Sequence, residues 1–111
     1  MALWLADYGL LKVCKNFGFD LMGIFHAYDI RGVFDAGLTT GHARRIGYFL
    51  PRLLQADKVL VGRDARASSP ALHEALCDGI RLAGADVTSL GLATTPMVYF
   101  YTAKFGFNAS V

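Results

Sequence analysis

From residue 39 onward this chain repeats one unit, a helical segment with a marked start followed by a short apolar run, with only a few residues between them. KVLVG at 58–62 is a β-branched run bounded by Asp57 and Gly62, as expected of a strand buried on both faces. DVTSLGL at 86–92 reads as another strand, and the closing FNASV as the first residues of one more. Upstream, IFHAYDIRGVF sets Ile30, Val33 and Phe34 around Gly32, the pattern of a strand with a bulge or a close backbone approach. Strands alternating with helices over short connections require crossovers and a mostly parallel sheet with helices on both faces.

The helix starts are specific. Thr39 or Thr40 can cap the first helix, whose face is Ala43, Ile46, Leu50, Leu53 and Leu54. Pro51 removes a backbone donor late in that run and is expected to kink or end it. In the second helix Ser69 is the expected cap, with Pro70 at the first helical position and Leu72, Leu76, Gly79, Ile80 and Ala83 as the core stripe. Gly84 allows a left-handed stop. Thr94 or Thr95 with Pro96 repeats the device for a third helix through Met97, Val98, Phe100, Tyr101 and Phe105, stopped by Gly106.

The chain has 111 residues, room for one domain and one core. Hydrophobic residues are 54% of it and glycine adds 12 positions, where ordinary soluble domains sit near 45–50% with glycine counted. The excess implies apolar surface meant for a partner or a further domain. No run approaches the roughly 18–20 apolar residues of a membrane span, so no membrane association is expected. The net charge is +2 with no block of like charge, which argues against a nucleic-acid partner. MALWLADYGLLKVC lacks the basic start of a secretory leader, and Cys14 and Cys77 have no metal spacing, so the expected compartment is the cytoplasm. Residues 1–22 show no clean helical or strand period.

Among chemistry-bearing groups, His26, His42 and His73 show no metal-pair spacing and read as surface or core residues. VGRDARASSP at 61–70 lacks the spacing of a nucleotide phosphate loop. Its structural reading pairs Asp64 with Arg63 or Arg66 and uses the serines as caps. AYDIRG offers more, because the planar fork of Arg31 suits phosphate, the Tyr28 hydroxyl can donate to an anion, and Asp29 can orient Arg31. An ion pair of Asp29 with Arg31 at the sheet edge explains the same residues equally well.

FHAYDIRGV, VGRDARASSPAL and GLATTPMVYF, in that order and spacing, resemble the α-D-phosphohexomutases, the bacterial phosphomannomutases and phosphoglucomutases. The resemblance covers residues 23–111 and implies a three-layer α/β/α fold with a mostly parallel, mixed sheet, the first of four domains around a cleft. It further implies a phosphoserine on this domain, Mg²⁺ held by a later domain, a hexose bisphosphate activator, and interconversion of hexose 1-phosphate and 6-phosphate. On that pattern Tyr28 and Arg31 face the cleft as phosphate-binding residues. The family's serine motif, of the type T-A-S-H-N-P, is expected directly after FNASV; Ser110 lacks the following His-Asn-Pro and does not fill the role. The expected organisation is therefore an extension over 1–22 and domain I over 23–111, incomplete at its C-terminal end, inactive alone and partnered by the remaining domains. The competing expectation is a non-enzymatic truncated product or small interaction module.

Overall fold

A computed structural model describes Ile30 and residues 32–111. The elements run α1 (Thr40–Leu54), β1 (Lys58–Arg63), α2 (Ser69–Leu82), β2 (Asp86–Leu92), α3 (Thr95–Phe105) and β3 (Ala109–Ser110). The three strands form one parallel sheet in the order β2-β1-β3. The chain thus passes from β1 through α2 to one side, then returns through α3 across β1 to the other.

β1 is the central strand because it is apolar on both sides, with Val59, Leu60 and Val61 all buried. Val59 and Val61 join the core made with α1 and α2, which includes Leu38, Ile46, Leu50, Leu72, Leu76 and Ile80. The intervening positions face the other way, since a Cβ added at Gly62 would meet Val98 Cγ2 of α3 at 2.9 Å. Strand alternation therefore sets α1 and α2 on one face of the sheet and α3 on the other, the three layers expected.

Helices α1 and α2 cross with their backbones nearly touching. A Cβ at Gly79 would lie 1.9 Å from the Arg44 carbonyl oxygen, and one at Gly47 would lie 2.2 Å from that of Leu76. Only glycine permits this approach, and it lets both helices lie flat on the sheet.

Thr39 caps α1 through a reciprocal pair of bonds. Its hydroxyl accepts from the His42 backbone N–H at 3.2 Å, while its own N–H donates to His42 Nδ1 at 3.2 Å. His42 is thus a capping residue. Pro51 does not end or break this helix, which continues one more turn to Leu54. The Pro51 ring is buried, and its carbonyl accepts from Ala56 N–H at 2.8 Å and from Gln55 N–H, so the stop falls at Gln55 in the left-handed region.

The start of α2 also differs from expectation. Ser68 is the residue preceding the helix, and its side chain makes no capping bond. Ser69 stands one position inside the helix, where its oxygen is not the cap, and its hydroxyl donates to Asp64, a charge-assisted bond. At α3 the expected device is present, with the Thr94 hydroxyl accepting from Met97 N–H at 3.4 Å and Pro96 in the first turn.

Of the expected strand at 24–34, residues 24–29 and 31 lie outside the described residues. Beyond Gly32 the chain turns: the N–H groups of Ala36, Gly37 and Leu38 all donate to the Val33 carbonyl, and Asp35 sits at φ 66°. Aspartate tolerates that left-handed conformation better than most residues, which favours the turn over a continued strand.

Candidate functional site

Parallel strands end at one edge of the sheet, and a cleft of about 390 Å³ opens there. Its floor is made by Gly62 and Arg63 at the end of β1 and by Ser110 and Val111 at the end of β3. Val111 is tied to β1 on both sides, its N–H donating to Leu60 O and its carbonyl accepting from Gly62 N–H, each at 2.8 Å. Its walls are the first turns of α2, with Ser69 and His73, and of α3, with Thr94 and Thr95. Two helix N-termini at one opening bring the positive ends of their dipoles to it, a setting that favours anions.

The β1–β2 register slips between Val61 and Gly62, where Ser89 and Gly91 are the successive partners and Leu90 is the extra residue. Gly91 takes φ 68° at that bulge. The slip lies toward the cleft edge of the sheet, and pairing resumes beyond it at Gly62 with Gly91 and Arg63 with Leu92.

The loop after β1 is organised by Asp64. Its Oδ1 accepts from the Arg66 backbone N–H at 3.1 Å and from the Ser69 hydroxyl, and its Oδ2 lies 3.2 Å from Arg66 Nε. The Ser69 bond above all holds the Asp64 carboxyl below its ordinary value; burial opposes it, and the Arg66 amide and guanidinium add smaller lowering contributions. Of the two partners that the sequence offers, Asp64 takes Arg66. Arg63 makes no ion pair among the described residues.

His73 bridges α2 to the edge strand, its Nε2 lying 3.2 Å from the Ser89 hydroxyl and its ring 3.8 Å from Cys77 Sγ. Burial, then the charges of Arg63 and Arg81, push its proton affinity down. Cys77 is a buried free thiol, raised by burial. No group of three or more His, Cys, Asp or Glu able to hold a metal ion occurs among the described residues. The magnesium that the resemblance implies thus has no such group to hold it among the described residues. No helix among them is long and apolar enough to cross a membrane.

Tyr28 and Arg31, the phosphate-binding residues expected from AYDIRG, lie outside the described residues. Ser110 lines the cleft and makes no side-chain hydrogen bond among the described residues. Thr94, Thr95 and Arg63 were not singled out for this role from the sequence. The available signal was position: each stands at the carboxyl end of a parallel strand or just after it, where ligands of such sheets bind.

The fold and cleft define an open parallel α/β domain of the ligand-binding kind. Residues 22–111 match the family described as phosphoglucomutase/phosphomannomutase, alpha/beta/alpha domain I, and the chain belongs to that family. It is 47% identical over 78 residues to the "Phosphohexose mutases" protein of Xanthomonas campestris pv. campestris (strain B100), covering 70% of this chain and 17% of that protein. To the phosphomannomutase of Escherichia coli it is 39% identical over 87 residues, covering 78% and 19%. A crystal structure of a phosphoglucomutase/phosphomannomutase family protein from Burkholderia thailandensis superposes with a TM-score of 0.67 at 46% identity, covering 69% of this chain and 18% of that one. The chain spans under a fifth of the length of these relatives.

Proposed function

We propose that this chain serves as the first domain of a phosphohexomutase, one that interconverts hexose 1-phosphate and 6-phosphate through a phosphoserine and a bisphosphate intermediate in carbohydrate metabolism. The observation that carries this reading is the path of β3. Val111 lies on the cleft floor, bonded to β1 on both sides, so a segment continuing from it would emerge between the two helix N-termini. A serine placed there would have its phosphoryl group at the positive ends of both dipoles.

In this reading residues 1–22 are an extension and residues 23–111 the domain. Its own residues bind and orient phosphate. Arg31 supplies a planar fork of donors and Tyr28 a hydroxyl, and positioning and charge stabilisation are what phosphoryl transfer asks of a protein. The remaining domains would hold the sugar and the magnesium, and a hexose bisphosphate would prime the serine. The compartment is the cytoplasm.

The outer face of α3 supports a role within a larger assembly. No residue of that helix is buried, and Met97, Phe100 and Phe105 are exposed at 40%, 59% and 55%. The same face would also suit a small interaction module without catalysis.

Combining the chain with the other domains of a family member and assaying hexose-phosphate interconversion, with magnesium and a sugar bisphosphate present, separates the two. Activity that depends on adding this chain is expected, and Arg31→Ala should lower it at least about tenfold, the loss of a charge-assisted phosphate contact. Activity that appears and is indifferent to Arg31→Ala removes Arg31 from the site. Persistent absence of activity favours the interaction module.

A further inference from the structure

We propose that Arg63 is a second phosphate-binding residue of this cleft, gripping the anion from the α2 side. The identity of the anion as a phosphate rests on the phosphohexomutase reading; the placement of Arg63 does not.

Three observations converge on it. Asp64 is committed to Arg66 and Ser69, which leaves Arg63 partly buried and without a carboxylate partner among the described residues. A charge half out of water is costly unless something pairs with it. Position then decides which way it faces. Gly62 is turned toward Val98 of α3, so Arg63, the next residue along the strand, belongs to the face where α2 packs. Its charge is felt by His73 of α2, and both residues line the cleft. Finally, the opening that they share is walled by the first turns of α2 and α3, so an anion drawn to one feature is held by the others. A guanidinium that has no ion-pair partner among the described residues is the side chain best matched to a phosphate there.

The test uses the 111-residue chain and inorganic phosphate, followed by NMR of the Arg63 side chain, the first turn of α2 and the His73 ring. Phosphate is expected to shift all three and to raise the pH at which His73 titrates, since the bound anion offsets the Arg63 charge. Arg63→Gln should weaken binding about tenfold, raise the titration of His73 before any phosphate is added, and abolish its response to phosphate. Arg63→Lys keeps the charge but not the fork; it should bind with intermediate strength, and it carries the test if the Gln variant loses its fold. Arg31→Gln, measured in parallel, separates the two claims. Phosphate binding that weakens with Arg31→Gln and is unchanged by both Arg63 variants overturns the role of Arg63 and leaves the phosphohexomutase reading intact. A cleft that Arg63 governs and Arg31 does not would remove Arg31 while keeping Arg63. If phosphate shifts nothing in the wild-type chain, both fall.

Discussion

Asp64 shows how one side chain can set a loop. Its carboxyl is held below the ordinary value, chiefly by the Ser69 hydroxyl, so folding favours the ionised form. The stability this adds is present above the unfolded value of about 3.9 and is lost as pH falls through the lower folded one. Asp64→Asn should therefore flatten the acid limb of the stability curve between about pH 2 and 5, read as urea midpoints at each pH. With 45% of the Asp64 side chain and 74% of Arg66 exposed, the effect belongs under about 1 kcal/mol. Sequence marks Asp64 as a carboxylate with two arginines in reach. It does not say which one, because the choice depends on the turn: Arg63 is held in β1, while the turn after it brings the Arg66 amide and guanidinium onto the carboxylate. The part played by Ser69 was hidden too, since a serine before a proline reads as a cap whether it stands before the helix or, as here, opens it.

At the scale of elements, the boundaries were the most legible feature. The strand at 86–92 begins and ends where its pattern does, and Thr39, Thr94, Gly84 and Gly106 mark helix ends in the structure as in the sequence. Each acts through bonds or dihedrals local to itself, which is why it can be read locally. The helix crossing is different. Gly79 stands on the expected core stripe of α2, but nothing in that stripe announces the Arg44 carbonyl against it. Gly79→Ala should destabilise the protein by about 2 kcal/mol or more, because the new methyl meets backbone that cannot rotate away. Urea unfolding of the variant checks this, with Gly41→Ala as the control, where an added Cβ has only a contact at 3.5 Å. Pro51 failed as a stop for a related reason: burial of its ring and the two bonds to its carbonyl hold a last turn that local propensity alone would give up.

For the whole molecule, alternation of strands and helices was enough to specify a layered parallel α/β domain, but the order β2-β1-β3 was not written in it. Order depends on which way each crossover runs, and here the second crossover recrosses the central strand. That return creates the cleft by bringing β3 beside β1. Part of the apolar content lies in the open at this scale, since no residue of α3 is buried and Met97, Phe100 and Phe105 stay exposed. Replacing Phe100 and Phe105 together by Gln should leave stability within about 0.5 kcal/mol per site. Sedimentation of the same variant should show less self-association at high concentration than the wild-type chain. The near-contact of Gly79 with Arg44 has a mechanical corollary. It lies about ten residues, or roughly 15 Å, along α2 from Ser69, so the helix is a lever whose fulcrum is main chain against main chain. Any substitution that pries the fulcrum apart swings the far end, and the first sign of damage should be a cleft wall out of place well before the domain comes undone.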